Sequence, residues 1–318
     1  MSLELQLVAA LLLDSILGDP RWLPHPVRLI GRLAQVLETT CRRLFASGKA
    51  AGILTVFLAL SATAAGGWGM LYLAGIVHPW AKDAVSIYLL YACFAARDLL
   101  AHSSRVAAAL KENDPARARI MVGMIVGRDT AGLEEEGVVR ACVESVAENT
   151  VDGVTAPLFW AAVGGPLGAL LYKAVSTMDS MFGYTNERYF HFGWAPARLD
   201  DLLNWVPARI TGLLLVAAAL ILRMRPAGAW RVFFRDRLNH ASPNSGHPEA
   251  AVAGALGIRL GGLSTYFGKP VQKPVIGDDC CRPHAGHIKQ AQDLLIAATV
   301  LTFLLFIWVR MGLYAVLR

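Results

Sequence analysis

Arg140, Glu144, Glu148 and Asp152 recur at every fourth position of the stretch RACVESVAENTVDG. On a helix, residues four apart drift slowly around the axis and make one stripe. Two or three carboxylates on a stripe suit Mg²⁺, which takes oxygen ligands from protein and substrate phosphates together. The bland alternative is a solvated face with i,i+4 salt bridges. Asn149 and Asp152-Gly153 mark the expected helix end, which would put Asp152 on a turn. Upstream, Gly127-Arg128-Asp129-Thr130 sets a cation beside a carboxylate. Arg128 there could grip a phosphate at a helix start, with Asp129 or Thr130 as cap. An ordinary ion pair in a capped turn reads equally well.

A second charged group follows. Asp179, Asp200 and Asp201 lie among Lys173, Arg188, Arg198 and Arg209. Such a mixture fits a metal–phosphate site, or an interfacial loop whose arginines snorkel. The run Ser242–Glu249 (SPNSGHPE), with Asn244 and Glu249, has small residues that let a ligand approach the backbone, and is otherwise a plain connector. Asp278, Asp279, Cys280, Cys281, His284 and His287 resemble metal ligands, but their spacing matches no common zinc pattern. His25 reads as a structural histidine in a turn. There is no Walker A, G-x-S-x-G or H-E-x-x-H motif, so the common soluble nucleotide and hydrolase sites are unsupported.

The elements that must position these residues are strongly apolar. Hydrophobic residues make up 55% and charged residues 17% of the 318-residue chain, with a mean hydropathy of +0.45. Carboxylates beside a bilayer are expensive, so a chain that keeps many there uses them. The expectation is an all-α integral membrane protein, a single domain over 1–318, with about four to six membrane helices and helical cytoplasmic loops. The membrane segments are Ile53–Val77, Ala84–Leu100, Val206–Leu222 and Leu294–Val309, with Leu3–Leu17 shorter. Val154–Val175 is apolar but carries Gly164-Gly165-Pro166, which should break it into a re-entrant hairpin. Asp114-Pro115 should open a helix through about Val126. Trp230–Leu238 suits a helix in the headgroup region. A helix from Pro248-Glu249 should end near Gly261-Gly262. The net charge of +6 is assigned to membrane orientation and anionic ligands. Aromatic and basic residues do not interleave as in a strand-binding groove, so no nucleic acid is expected. The arginine-rich loops Arg21–Lys49, His102–Arg140 and Arg223–Lys289 should face the cytoplasm. Five cysteines in no disulfide-like arrangement agree with a reducing face. The N-terminus is a poor signal peptide, with Asp14 inside its apolar run.

Together these motifs resemble the CobD/CbiB family, adenosylcobinamide-phosphate synthase of cobalamin biosynthesis. The resemblance runs from LLLDSILGDPRWLPHPVRLIG through GRDT, RACVESVAENTVDGVTAPLFWA, DSMFGYTNERYFHFGWAPARLDDLLNWVPAR and SPNSGHPEAAVAGALGIRLGG to VIGD. The chain departs from that pattern at Ser176 (Asn expected), at His247 (Trp expected) and at Cys280-Cys281. The resemblance implies a multi-pass protein of the cell inner membrane with cytoplasmic active-site loops. It implies ATP-dependent amide ligation of adenosylcobyric acid to (R)-1-aminopropan-2-ol or its O-phosphate, with Mg²⁺ and ATP as co-substrate. The lipid bilayer, and a second copy of the chain or other corrinoid enzymes, are the further partners. In that reading Glu144, Glu148, Asp152, Asp179 and Asp200 hold the metal. Arg128, Lys173, Arg198 and Arg209 hold phosphate, and Asn244 and Glu249 line the substrate pocket. Glu144, Glu148 and Asp201 serve catalysis, Asp201 by accepting the proton of the attacking amine. The competing readings are a non-enzymatic membrane regulator of the same family, a transporter and a Mg²⁺-dependent prenyltransferase.

Overall fold

The computed structural model describes residues 1–20, 22–184 and 186–316. Arg21 and Thr185, both inside the motifs above, lie outside the described residues. The chain order begins α1 (Leu3–Leu17), α2 (Pro26–Leu44), α3 (Gly48–Val77), α4 (Pro79–Tyr91), α5 (Ala96–Lys111), α6 (Pro115–Gly123) and α7 (Glu135–Thr150). A π turn (Val151–Thr155) leads to α8 (Ala156–Phe182), α9 (Trp194–Leu203), α10 (Trp205–Ile221), α11 (Pro226–Asp236) and α12 (Gly246–Leu256). A hairpin of β1 (Leu260–Tyr266) and β2 (Lys269–Ile276) precedes α13 (Ala285–Val316). The expectation of a mainly helical chain holds, with this β-hairpin as the addition.

Four stretches are long and apolar enough to cross a membrane: Gly48–Val77, Pro79–Lys111, Glu135–Phe182 and Ala285–Arg310. They become five if α9 and α10 together count as one broken span. Helix ends follow local chemistry. Ser47 caps α3 by accepting from the Ala50 N–H, and Asp114 caps α6, accepting from the Arg117 N–H at 2.9 Å. Prolines stand at the first turns of α4, α6 and α11, where the missing N–H is harmless.

Contacts divide the chain into two compact units. The first comprises Met1–Ala95 and Ala156–Asn204. Its core gathers Ala34, Cys41, Ala51, Ala59, Met178, Phe182 and Phe192. Within it α8 breaks at Gly165, whose φ of 61° no helix accommodates. A Cβ on Gly168 would lie 2.3 Å from the Trp160 carbonyl oxygen. Eight residues of straight helix would separate those positions by about 12 Å, so the two arms fold back against each other. The expected break at Gly164-Gly165-Pro166 is therefore a helical hairpin. Its arms border an apolar cavity of about 580 Å³, lined by Phe57, Leu60, Trp160, Gly168, Tyr172 and Leu199 among others.

The second unit comprises Ala96–Thr155 and Trp205–Arg318. Its core includes Val106, Val139, Val143, Leu215, Val232, Leu260, Ile276, Ile288 and Leu294. Every residue of α12 is buried, and its alanines and glycine let α10 and α11 pack closely. Gly257 ends α12 in the left-handed conformation, φ 69°, as a C-terminal glycine does. The helix expected to reach Gly261-Gly262 stops there. Gly261 and Gly262, with φ of 77° and 83°, enter the strand instead. The hairpin turns at Phe267 and Gly268, φ 52° and 74°, and Tyr266 pairs with Lys269 across it. Two positive φ values in a two-residue loop match the right-handed twist of the strands.

Candidate functional site

The second unit holds a compact charged cavity. The amphipathic stripe of α7 carries Glu144 and Glu148, the GRDT loop carries Arg128, α12 carries Glu249, and the hairpin supplies Tyr266 and Lys273. These side chains, with Ser145 and neighbouring backbone, line a space of about 100 Å³. Arg128 and Glu144 form a direct ion pair, and only 7% and 4% of their side-chain surfaces are exposed. The other Glu144 oxygen accepts from the Gly261 N–H at 2.7 Å. Glu148 accepts from the Ser245 hydroxyl at 2.9 Å. That bond ties α7 to the SPNSGHPE run just before α12. Asn244 is buried beside it, its N–H donating to the Ser242 hydroxyl at 3.2 Å.

Three carboxyls share this half-buried space with two cations. Burial, then the Glu144 and Glu148 charges, push the Glu249 carboxyl well above its ordinary pKa. Glu249 therefore holds its proton to higher pH than a free carboxyl does. Burial alone would lower Arg128, but the Glu144 carboxylate reverses this and raises it. Burial acts the same way on Lys273, where the Tyr266 hydroxyl and Glu144 win and the pKa rises. His240 stands 3.8 Å from Glu249, and burial lowers its pKa, so it faces the carboxyl as a neutral imidazole.

Three sequence expectations change here. Asp129 does not cap α7, which starts at Glu135 after Glu134. Its carboxylate instead accepts from the Gly268 N–H at 2.8 Å, and its own N–H donates to the Thr265 carbonyl at 2.8 Å. The GRDT loop thereby clamps the hairpin turn over the cavity. Asp152 falls in the π turn, whose extra residue per turn shifts it off the stripe, and it is not among the cavity-lining residues. Tyr266 and Lys273 are site residues that the motifs did not mark. The local signal is weak: LSTYFGKPVQKPV has a glycine at its turn, but its apolar residues do not alternate and Pro270 and Pro274 interrupt the second strand.

The remaining expected residues divide between the units. Arg209 opens α10 in the second unit, its guanidinium 4.2 Å over the Trp205 ring. Lys173, Asp179, Arg198, Asp200 and Asp201 belong to the first. There Asn204 joins the Asp200 carboxylate and the Tyr172 hydroxyl at 2.9 Å each. Arg198 reaches Asp201 at 3.5 Å. Asp179 lies in the last turn of α8, its backbone carbonyl accepting from the Gly183 N–H at 2.6 Å. In the Cys/His run, Cys281 Sγ lies 3.7 Å from His287 Nε2. Among the described residues no group of three or more His, Cys, Asp or Glu is placed to hold a metal ion by itself.

A model of the CobD/Cbib protein family matches residues 7–295. The cobalamin biosynthesis protein CobD of Geobacter metallireducens is 56% identical over 85% of this chain and 85% of its own. That of Clostridium perfringens is 47% identical over 86% of this chain and 87% of its own. The cobalamin biosynthesis protein CbiB of Salmonella choleraesuis is 45% identical over 96% of both chains. No solved structure matches. With matches of this length and identity along nearly all of the sequence, the chain belongs to the CobD/CbiB family of cobalamin biosynthesis proteins.

Proposed function

We propose that this protein is the membrane-embedded amide ligase that the resemblance implies. It joins adenosylcobyric acid to (R)-1-aminopropan-2-ol or its O-phosphate at the expense of ATP, with its site at the cytoplasmic rim of the inner membrane. The observation that carries the reading is the cavity of Glu144, Glu148 and Glu249 with Arg128 and Lys273. A space of about 100 Å³ is far below the ~300–1,000 Å³ of a site that encloses a drug-sized ligand. It suits the reacting end of a small amine, with the corrinoid and nucleotide outside it.

A carboxylate does not condense with an amine at neutral pH, so it must first be activated, most simply as an acyl phosphate from ATP. Arg128 and Lys273 are the cations available to phosphoryl oxygens in the second unit's site. A guanidinium fork matches that geometry. In the first unit Lys173 and Arg198 are proposed for the same work. A cation bound there would offset the charge of a third carboxylate and favour ionisation of Glu249, whose pKa is raised by burial and then by Glu144 and Glu148, and Mg²⁺ needs only one or two carboxylates besides phosphate oxygens and water. Glu144 and Glu148 would hold it in the second unit, where Asp152 is the further carboxylate proposed, while Asp179 and Asp200 are the carboxylates proposed for a cation of the first unit. Bound there, Mg²⁺ would neutralise charge developing on the phosphates. The attacking ammonium must lose a proton to become a nucleophile. Glu148, held by one neutral hydroxyl donor, is the base proposed for it in the second unit, and Asp201 is the base proposed in the first.

The test is direct. Purified protein with adenosylcobyric acid, aminopropanol phosphate and Mg-ATP should form the amide, followed by mass spectrometry. Glu148→Gln keeps an acceptor for Ser245 and should fold, yet lose at least ~100-fold in turnover, the low end of a general base's contribution. Wild-type turnover in that variant removes Glu148 from the mechanism. Absence of ATP-dependent product with the native protein overturns the ligase reading.

A further inference from the structure

His247, the second residue of α12, is 2% exposed. Neither of its ring nitrogens has a hydrogen-bond partner. A buried imidazole left so is an exception that asks for a ligand or a reason. Its surroundings are positive. Gly212 on α10 faces it: a Cβ there would sit 3.2 Å from the His247 carbonyl oxygen and 2.4 Å from the Phe233 ring. Arg209 lies three residues earlier, one turn away on the same helix face. The Phe233 ring is 5.9 Å from the His247 imidazole, and the Arg237 guanidinium lies 5.6 Å over that ring. Arg209 and Arg237 are close enough to repel one another. Burial first, and then these two charges, hold the His247 pKa down to about 4, so the ring is neutral and offers one donor and one acceptor.

Neither arginine has an acidic partner among the described residues. Arg209 Nη1 donates to the Trp205 carbonyl at 2.6 Å and Arg237 Nη1 to the Phe234 carbonyl at 3.1 Å. Each guanidinium stacks on an aromatic ring of its own segment, at 4.2 Å and 4.8 Å. Their remaining N–H donors are uncommitted in these contacts. Arg235 shows the contrast, since Asp236 and Asp278 both hold it. Two half-buried arginines with spare donors beside a neutral, unpartnered imidazole are a donor set that an anion would satisfy.

We propose that Arg209, Arg237 and His247 form a phosphate-binding site at the start of α12, for a phosphate ester. Two arginine forks match phosphate oxygens bidentately, and the His247 N–H adds a third donor from the buried side. The ester comes from a small soluble molecule or from a phospholipid headgroup. The flanking Trp205, Phe234 and Leu238 are exposed, which admits either source. The proposal stands whether or not amide ligation is the reaction, because binding is measured without corrinoid or ATP.

The full-length protein is purified in a maltoside detergent, which carries no phosphate. Binding of inorganic phosphate and of dioctanoyl phosphatidylglycerol is measured by calorimetry and thermal protection. Native protein should bind at least one of them. Arg209→Gln and Arg237→Gln should each weaken that binding at least about tenfold, the loss of one charge-assisted bond. His247→Phe should weaken it about threefold or more, while Arg235→Gln leaves it unchanged. Should Arg209→Gln fail to fold, Arg209→Lys serves, since it keeps the charge and loses the fork. Binding of inorganic phosphate assigns a soluble ester. Arginine-dependent binding of phosphatidylglycerol alone assigns a headgroup. The proposal is overturned if neither ligand binds, or if both arginine variants bind as tightly as the native protein.

Discussion

Two of the three acidic residues of the cavity, Glu144 on α7 and Glu249 on α12, should respond to substitution with opposite signs. Glu144 is paired with Arg128 and bonded to the Gly261 N–H. Glu144→Gln breaks a buried pair and leaves Arg128 uncompensated, a loss of about 3–5 kcal/mol. Glu249 instead holds its proton to higher pH because of burial and its neighbours. Its folded pKa lies above the ordinary 4.5. The stability it contributes is full below that value and falls as pH rises through the folded pKa. Glu249→Gln should therefore raise the melting temperature at neutral pH, with the gain vanishing below about pH 4.5, and should still impair amide formation. Thermal unfolding across pH, run beside the activity assay, checks both. A destabilised Glu249→Gln at pH 7 would contradict the raised pKa. Glu144, Glu148 and Arg128 were legible from spacing and residue type. Lys273 and Tyr266 were not, because nothing local to a strand tells which cavity it will cover.

At the scale of elements, the hairpin of α8 depends on close backbone approach rather than on side-chain affinity. A Cβ on Gly168 would press on the Trp160 carbonyl, whereas one on Gly164 would meet nothing within 4 Å. Gly168→Leu should cost about 1–3 kcal/mol as overpacking, and Gly164→Ala should stay within about 0.5 kcal/mol. Melting in detergent distinguishes them, and equal effects would argue against the folded-back arms. The Gly-Gly-Pro break was readable because glycine and proline act locally on φ and on the N–H ladder. The hairpin of β1 and β2 was hidden for the opposite reason. Gly261-Gly262 resembles a helix terminus, and the true stop, the left-handed Gly257, lies four residues earlier in the same glycine-rich run. Asp129 was read as a helix cap for want of a visible partner. Its partner, the Gly268 N–H, is 139 residues away.

For the molecule as a whole, the long apolar stretches predict that carbonate washing leaves the protein in the membrane pellet and that only detergent releases it. Orientation is testable with the cysteines. Cys41, Cys93 and Cys142 are buried, while Cys280 and Cys281 are exposed. If the arginine-rich loops face the cytoplasm, as the positive-inside rule expects, an impermeant maleimide should label the protein in inverted vesicles. It should not label it in intact spheroplasts. Labelling from the outside would reverse the proposed topology.

What the amino-acid sequence determined by itself is what short-range physics encodes. Apolar length marks the membrane stretches, glycine and proline mark the break in α8, and carboxylate spacing marks the stripe of α7. Long ordered motifs mark the family. Only the tertiary structure decided which charges share a cavity. It put Glu249 from α12 beside Glu144 and Glu148, brought Lys273 from a strand, and turned Asp129 from a helix cap into a clamp. Those outcomes depend on burial and on contacts between residues far apart in the chain. Dielectric environment and partner identity exist only once the elements have packed.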